Sequence, residues 1–305
     1  MMQTRRTRMQ PAMHTTRRAL CRALLAAPLV LPVRTAAADT DPDLAAIERR
    51  LGGRLGVAAG STERLLIGHR ADEDFPMCST FKVLAAAAVL ARADAGSENL
   101  DRVVTYGAGD LLSYAPVTRK ALESSGGTGR LLVSDLCAAA LEWSDNTAVN
   151  LLLPSLGGPE GLTAWLRRID DPRTRLDRTE PTLNSAIPGD PRDTTTPAAM
   201  RSTLGRILLG SILAPASRGR LEGWMAGSQT GFKRLRAGLP KDWPVGDKTG
   251  SGDNGTVNDV AILRPPGRAP VLAAVYMTGT TAPAAVWEAA YAEIARLIAA
   301  RASGA

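Results

Sequence analysis

The chain has 305 residues, 45% of them apolar, and this length is sufficient for a full hydrophobic core in one or two lobes. Its net charge of +7 would ordinarily suggest nucleic acid or an anionic membrane as a partner. The first 38 residues, however, hold seven arginines and no acid, so 37 minus 7 leaves 30 basic against 30 acidic groups in residues 39–305. This near-neutral balance argues against nucleic acid as a partner.

Residues 1–38 have the composition of a cleaved export signal. An arginine-rich start precedes a short apolar stretch, and Ala36-Ala37-Ala38 supplies small residues for cleavage. The pair Arg17-Arg18 is compatible with a twin-arginine signal and with an ordinary Sec leader, and both remain open. Because Arg22 interrupts the apolar stretch, we expect a periplasmic or secreted protein with no membrane anchor in its mature form.

Strand and helix patterns occur at both ends of the mature chain. Asp41 to Leu51 is typical of a helix, and two strands follow across a Gly60-Ser-Thr-Glu turn. Three more strand patterns lie within residues 243–277, and a final helix spans roughly Ala284 to Ala302. Since residues 79–225 are mainly helical, we predict an α/β (α+β) fold: a five-stranded antiparallel sheet flanked by helices, with an inserted all-helical lobe.

This organisation predicts two lobes. Residues 39–74 and 226–305 would form an α/β lobe built from both termini, and residues 75–225 an all-α lobe that includes the loop at about 175–193. A cleft between the lobes is where we expect a ligand.

Ser79 and Lys82 stand one helical turn apart at the start of an apolar, alanine-rich helix. A serine hydroxyl needs a base to become a good nucleophile, and a lysine with a lowered pKa can be that base. The alternative is an N-cap and a solvated amine, since S-x-x-K alone is weak evidence. His69 is the one histidine after residue 38, which excludes a zinc site with several histidines, and we interpret it as an ordinary strand-end residue.

Three further motifs favour a catalytic role for Ser79 and Lys82 over the alternative of an N-cap and a solvated amine. Ser144-Asp145-Asn146 interrupts the helical region, Arg178-Thr-Glu-Pro-Thr-Leu-Asn184 lies in an irregular segment, and Lys248-Thr249-Gly250 ends a predicted strand. Together with the serine and lysine motif, in that order, they resemble the signature of the class A serine β-lactamases. The resemblance covers residues 39–305 and includes the strings MCSTFKV, WSDNTAVNLLL, AIPGDPRDTTTP and KTGSGDNGTVND.

The resemblance implies hydrolysis of the β-lactam amide bond of penicillins and cephalosporins through a serine acyl-enzyme, and hence antibiotic resistance. Ser79 would attack the carbonyl carbon, and either Lys82 or Glu180 acting through a water would be the acylation base. Glu180 would also activate the water that hydrolyses the acyl-enzyme. Ser144 would pass a proton to the ring nitrogen, with Lys248 tuning it.

The resemblance also implies the groups that bind substrate and fix the loop. The backbone N–H groups of Ser79 and Ser251 would form the oxyanion hole, and Arg178 would pair with Asp193 across the loop. The implied substrate-binding residues are Asn146, Asn184, Thr249, Gly250, Ser251, Tyr114 and Arg234.

Departures from familiar members bear on the substrate range. Val257 stands where many members have an arginine, and Arg234 matches the position from which a subset supplies that guanidinium, so we expect Arg234 to bind the substrate carboxylate. Carbapenem-hydrolysing relatives link the cysteine before the nucleophile, here Cys78, to a second one, but that position is Gly252. Carbapenemase activity is therefore not supported, whereas Ser251 with Cys78 resembles the broad-cephalosporin branch. We interpret Cys78 and Cys137 as buried free cysteines.

Two rival classes share parts of this pattern. A penicillin-binding D,D-peptidase has the serine, the lysine and K-T-G, but it lacks the water-activating pair Glu180 and Asn184. A sensor that is acylated by a β-lactam would normally need a transmembrane tether. We expect an enzyme that uses no cofactor and no metal, acts on a small-molecule β-lactam and is a monomer.

Overall fold

The computed structural model describes residues 41–304. The predicted export signal, residues 1–38, lies outside the described residues, as do the Arg17-Arg18 pair and the predicted cleavage site. Within residues 41–304, none of the helices combines the length and the apolar character that crossing a bilayer requires.

The described part of the chain contains nine α-helices, seven of them in the middle of the chain. They are α1 (Pro42–Leu51), α2 (Phe81–Asp94), α3 (Pro116–Ser124), α4 (Val133–Glu142), α5 (Asn146–Leu156), α6 (Gly158–Arg168), α7 (Pro197–Leu208), α8 (Pro215–Ala226) and α9 (Ala284–Ser303). The predicted first helix is confirmed: Asp41 caps it by accepting from the backbone N–H of Asp43 at 3.0 Å, and Gly52 ends it with φ +66°.

The same residues contain nine strands, which form three sheets. They are β1 (Arg54–Gly60), β2 (Leu65–His69), β3 (Phe75–Pro76), β4 (Val103–Tyr106), β5 (Gly129–Leu132), β6 (Thr194–Thr195), β7 (Val245–Gly252), β8 (Thr256–Leu263) and β9 (Val271–Thr278). The main sheet is antiparallel and has the order β2-β1-β9-β8-β7. The pairs β3–β6 and β4–β5 are not predicted by the sequence patterns, because strands of two to four residues give no periodic signal.

Strands from the two ends of the chain meet in the centre of the main sheet. β1 pairs with β9, with Arg54 opposite Thr278 and Gly60 opposite Leu272. The predicted five-stranded antiparallel sheet is therefore confirmed, with helices α2–α8 inserted between its second and third strands along the chain. The strand β7, which carries the K-T-G motif, is at the edge of the sheet.

The main sheet separates two hydrophobic cores. Alternate residues of a strand point to opposite faces, and in β8 Val260 and Ile262 belong to the core shared with the inserted helices. Their neighbours Ala261 and Leu263 pack in the other core, with α1 and α9. The limits of the two lobes at residues 75 and 225 stay a prediction.

Helix α2 is at the centre of the helical core. Every residue from Phe81 to Leu90 is buried, which is the pattern of a helix packed on all sides. Its alanines allow neighbouring helices to approach closely, and α4, α5, α6 and α8 all contact it. A lysine in this setting, Lys82, has no exposed surface at all.

Asp145 fastens the connection between α4 and α5. It is fully buried, and its carboxylate accepts hydrogen bonds from the backbone N–H groups of Val117 and Thr118 at 2.9 Å and of Ala148 at 2.9 Å. The Thr118 hydroxyl donates to the same carboxylate at 3.0 Å. One side chain thus satisfies the N-terminal donors of two helices, α3 and α5, and holds the two flanking residues of the Ser144-Asp145-Asn146 motif in place.

Replacing Asp145 with alanine leaves these buried donors without an acceptor. We expect Asp145→Ala to lower the free energy of unfolding by about 3 kcal/mol, since hydrogen bonds to a charged group contribute about 1.5–3 kcal/mol each and add incompletely. Urea denaturation followed by circular dichroism measures the change. The exposed Asp101 supplies the matched control, for which Asp101→Ala should stay within about 0.5 kcal/mol. A loss below about 1 kcal/mol for Asp145→Ala would contradict this role for its carboxylate.

Candidate active site

Ser79 lies in a 3₁₀ turn, Cys78–Thr80, that leads directly into α2. The preceding residue, Cys78, has φ +46°, a left-handed conformation that a side chain other than glycine adopts at a cost. Asn258 on β8 holds the turn by donating to the carbonyl oxygens of Pro76 at 2.9 Å and Met77 at 3.0 Å. The serine is therefore presented by a locked turn at the mouth of a helix.

Lys82 is one turn into α2, and its ammonium group is surrounded by oxygen atoms. Its Nζ donates to the Ser144 carbonyl oxygen at 2.8 Å and to Asn146 Oδ1 at 2.5 Å. Burial lowers the pKa of Lys82 below its usual value, although the nearby Glu180 carboxylate opposes the shift. This lysine is thus easier to deprotonate than one in water.

Glu180 connects the serine to the lysine. Its Oε1 accepts a hydrogen bond from Ser79 Oγ at 3.0 Å and is 3.0 Å from Lys82 Nζ. Its Oε2 accepts from Asn184 Nδ2, four residues further along the loop. Asn150 on α5 fixes the backbone at Glu180 from both sides, donating to its carbonyl oxygen at 2.8 Å and accepting from its N–H at 3.1 Å.

The loop that carries Glu180 is closed by a buried ion pair. Arg178 Nε is 2.6 Å from Asp193 Oδ2, so the predicted pair is present. Asp193 Oδ1 also accepts from the backbone N–H of Asp177 at 2.7 Å and of Arg178 at 2.9 Å. Because Asp193 is fully buried, these contacts are shielded from solvent and position Glu180 more firmly than a surface pair would.

Ser144 lies between two buried lysines. Its Oγ is 3.0 Å from Lys248 Nζ on β7 and 3.4 Å from Lys82 Nζ on α2. Burial lowers the pKa of Lys248 well below its usual value, and the positive charge of Lys82 adds to the effect. With an Nζ–H donor on each side, the Ser144 oxygen acts as acceptor and its own hydrogen is free to point into the cavity.

The edge strand β7 lies very close to the segment before Ser79 and to the loop that carries Glu180. A Cβ atom at Gly250 would be 2.8 Å from the Met77 carbonyl oxygen, and one at Gly252 would be 2.5 Å from that of Asn184. These two glycines therefore let the K-T-G strand form one wall of the site beside Ser79.

Arg234 approaches the same strand from the α9 side. Its guanidinium donates to Asn258 O at 2.8 Å and to Ser251 Oγ at 3.0 Å. Its carbon Cζ lies 5.0 Å from the ring centre of Trp287 and 5.4 Å from that of Tyr291, so two aromatic faces support the cation. Although only 7% exposed, this arginine reaches the wall of the cavity beside Ser79.

A cavity of about 370 Å³ brings the predicted residues together. Its lining consists of Ser79, Tyr114, Ser144, Asn146, Asn184, Thr230, Arg234, Thr249, Gly250 and Ser251. The other three predicted residues are buried side chains behind this lining, joined to Ser79 or Ser144 by the contacts above: Lys82, Glu180 and Lys248. Tyr114 is half exposed at the rim.

The comparison with known proteins assigns a family to this geometry. The model of the β-lactamase enzyme family matches residues 41–302. The chain belongs to the β-lactamase enzyme family.

Named relatives agree with that assignment. The chain is 50% identical over 248 residues to β-lactamase CTX-M-8 of Citrobacter amalonaticus, covering 81% of this chain and 84% of the relative. It is 47% identical over 266 residues to β-lactamase Toho-1 of Escherichia coli, covering 86% and 90%.

Solved structures give the same class. An ancestral (GNCA) class A β-lactamase superposes with a TM-score of 0.80 at 58% identity, covering 84% of this chain and 97% of that one. A β-lactamase from Xanthomonas campestris does so with a TM-score of 0.80 at 49% identity, covering 83% and 94%. This β-lactamase is thus a class A serine hydrolase.

Three residues of this β-lactamase contact the site but were not predicted as site residues from the sequence: Asn150, Thr230 and Asn258. Asn150 falls inside the string WSDNTAVN, so its spacing of four from Asn146 on one helix face was an available signal. Asn258 falls inside the string KTGSGDNGTVND, but nothing in that string gave it a role, and Thr230 carries no signal. Thr230 Oγ1 lies 2.6 Å from Thr249 Oγ1, and Asn258 Nδ2 donates to the carbonyl oxygen of Met77, which precedes the turn Cys78–Thr80.

His69 does not contribute to this site. His69 is buried at the end of β2 with its Nε2 3.1 Å from Glu48 Oε2, which agrees with a strand-end residue. Within residues 41–304 there is no group of three or more His, Cys, Asp or Glu side chains that could hold a metal ion.

Both cysteines of the described chain are free and buried, which agrees with their interpretation from sequence. Burial raises the pKa of each thiol, and for Cys78 the negative charge of Glu180 adds to the shift. We expect neither thiol of native residues 39–305 to react with Ellman's reagent and both to react after unfolding in guanidinium chloride. One thiol labelled in the native protein, or none after unfolding, would contradict this arrangement.

Proposed function

We propose that this β-lactamase hydrolyses penicillins and cephalosporins with Ser79 as nucleophile and Glu180 as the base in both half-reactions. The observation that carries the proposal is the direct hydrogen bond from Ser79 Oγ to Glu180 Oε1 at 3.0 Å. A base within hydrogen-bond reach of the proton it removes is the first geometric requirement of general base catalysis.

In acylation, Ser79 Oγ forms a bond to the β-lactam carbonyl carbon and the ring carbon–nitrogen bond breaks. The Ser79 proton passes to Glu180, and the leaving nitrogen takes a proton from Ser144. A chain of contacts connects the two ends: Glu180 to Lys82 at 3.0 Å, and Lys82 to Ser144 at 3.4 Å. The lowered pKa of Lys82 suits it to accept and release a proton in this chain, which leaves Glu180 ionised again.

In deacylation, a water attacks the ester carbonyl carbon and gives a proton to Glu180, while Ser79 Oγ leaves and recovers a proton. Asn184 supports this step, because its amide donates to Glu180 Oε2 and its Oδ1 has no partner within residues 41–304. A buried amide oxygen without a partner is suited to accept a hydrogen bond from that water. The pair of Glu180 and Asn184 is what separates a hydrolase from an enzyme that stays acylated.

Substrate recognition is assigned to the wall opposite the loop. Arg234, Thr249 and Ser251 present donors from one side, and the substrate carboxylate of penicillins and cephalosporins matches them in charge. Asn146 would bind the amide of the substrate side chain, and Tyr114 would pack against its apolar part. The backbone N–H groups of Ser79 and Ser251 would hold the oxyanion, since a turn before a helix and an edge strand both leave donors unpaired.

The proposal includes export of a monomeric enzyme to the periplasm or the medium. Its support is the arginine-rich start, the short apolar stretch and the alanines at 36–38. Removal of residues 1–38 would take all seven excess arginines with it and leave a near-neutral protein.

Removing the Glu180 carboxylate should convert a turnover enzyme into one that stops at the acyl-enzyme. For residues 39–305 with a chromogenic cephalosporin and a penicillin, we expect Glu180→Ala to reduce kcat by about 10³-fold or more. Intact-protein mass measured beside turnover should show one bound ligand in the variant only. The exposed Glu123 supplies the control variant Glu123→Ala.

The wild type distinguishes the rival classes in the same experiment. Multiple turnovers exclude a D,D-peptidase or a sensor, whereas a wild type that stops after one equivalent with raised mass would overturn the proposal. The rate of acylation separates the two bases: a slower acylation in Glu180→Ala supports Glu180, and an unchanged one assigns the first proton to Lys82.

Replacing Arg234 tests recognition of the carboxylate. We expect Arg234→Ala to raise the KM for a penicillin about tenfold or more, because a charge-assisted pair contributes about 1.5–3 kcal/mol. Steady-state kinetics measures KM and kcat separately, with Arg64→Ala on the exposed β1–β2 turn as control. An unchanged KM would assign the carboxylate to other groups.

A further inference from the structure

Asp259 is a carboxyl group with no solvent contact in the middle of β8. It pairs with Thr249 of the K-T-G strand and faces the same core as Ala261, which packs with α9. Acidic side chains are almost never fully buried without partners, because the charged form loses its hydration. We therefore expect this buried carboxyl group to have a specific structural or functional role.

The contacts of Asp259 point to one segment. Its Oδ2 accepts the backbone N–H of Leu235 at 3.1 Å, and its Oδ1 has no partner within residues 41–304. The other buried acid on this face, Asp247, is occupied differently, since Arg236 and the Ser228 hydroxyl donate to its two oxygens. The single hydrogen bond of Asp259 is thus directed at the first residue of a 3₁₀ turn, Leu235–Gly238.

That turn begins directly after Arg234. The carbonyl oxygen of Asn258 accepts from the Arg234 guanidinium at 2.8 Å, while the side chain of the next residue, Asp259, accepts from the N–H of Leu235. Two consecutive residues of β8 therefore accept hydrogen bonds from two consecutive residues of the neighbouring segment. Asn258 binds the side chain of Arg234, and Asp259 binds the backbone of Leu235. With the backbone fixed at Leu235, the guanidinium stays against Ser251 Oγ and the two aromatic rings of α9.

We infer that Asp259 is a positioning residue for recognition of the substrate carboxylate, acting through the Leu235 backbone on Arg234. The inference rests on the proposed role of Arg234 in binding that carboxylate. Asp259 itself does not line the cavity and touches no reacting atom.

The charge state of Asp259 fits this role. Burial, followed by the negative charge of Asp247, raises the pKa of Asp259 well above its usual value, which favours the neutral form of the carboxyl group. A neutral acceptor fixes the backbone without competing with the substrate for the positive charge of Arg234. An amide, which also carries an acceptor oxygen and no charge, should therefore replace it.

The test compares three variants of residues 39–305 by steady-state kinetics with a penicillin. Asp259→Val and Asp259→Ala both remove the side-chain acceptor for the Leu235 N–H; valine fills the site and alanine leaves space. We expect both to raise KM about tenfold with kcat changed less than about threefold, because Arg234 is displaced while the catalytic residues are not. Asp259→Asn should restore KM to within about threefold of the wild type.

The same substitutions in an Arg234→Ala background separate positioning from general damage. If Asp259 acts through Arg234, Asp259→Ala should raise KM less than about twofold there. An equal rise in both backgrounds, a KM for Asp259→Asn as high as for Asp259→Ala, or loss of folding in both acceptor-free variants by circular dichroism would each overturn the inference. If Arg234→Ala itself leaves KM unchanged, the proposed role of Arg234 fails, which is a separate result.

Discussion

The active site depends on how two buried ammonium groups are accommodated. Lys82 and Lys248 have no exposed surface and lie on either side of one hydroxyl, Ser144 Oγ. A buried charge is tolerated only when close oxygen atoms replace its hydration. Those oxygens come from the connection between α4 and α5 and from Glu180 on the loop. The helices, the loop and the edge strand must therefore all be in place before either lysine is stable where it is.

The need for oxygen atoms around Lys82 explains why several contacts fix the loop that carries Glu180. Glu180 is the one carboxylate in contact with Ser79 and Lys82 among residues 41–304, so displacement of the loop would leave Lys82 without its counter-charge. The pair of Arg178 and Asp193 closes the loop, and Asn150 fastens it to α5. The same contacts that stabilise the buried Lys82 also place Glu180, the proposed base, beside Ser79, the proposed nucleophile.

The main sheet also positions parts of the site. Neighbouring residues of β8 point to opposite faces, and each face receives a different part of the site. Asn258 reaches the helical side and holds the turn before Ser79, whereas Asp259 reaches the α9 side and holds the segment of Arg234. One strand segment thereby connects the turn before Ser79 to Arg234, the group proposed to recognise the substrate carboxylate.

Part of the local backbone strain lies at the same points. Of the seven non-glycine residues with positive φ in residues 41–304, Cys78, Ser144 and Asp193 have values of +46°, +56° and +57°, and each lies beside or within the candidate active site. Such conformations cost about 1–3 kcal/mol each and persist only where the surroundings hold them. The buried carboxylate of Asp145 supplies part of that support next to Ser144.

The sequence by itself was sufficient for the family and the sheet, because motifs such as MCSTFKV and KTGSGDNGTVND keep their residues adjacent and strand periodicity is local. It also indicated a close set of site residues, nine of which line one cavity. It was not informative about β3 to β6, whose strands are too short to give a period, nor about Thr230, and it gave no role to Asn258 and Asp259 although both fall inside KTGSGDNGTVND. Their importance comes from contacts with residues that are distant along the chain: Thr249 lies 19 residues from Thr230, Leu235 lies 24 from Asp259, and Met77 lies 181 from Asn258. Only the tertiary structure decided these contacts, because pairing of strands and close packing bring together residues whose spacing along the chain carries no signal.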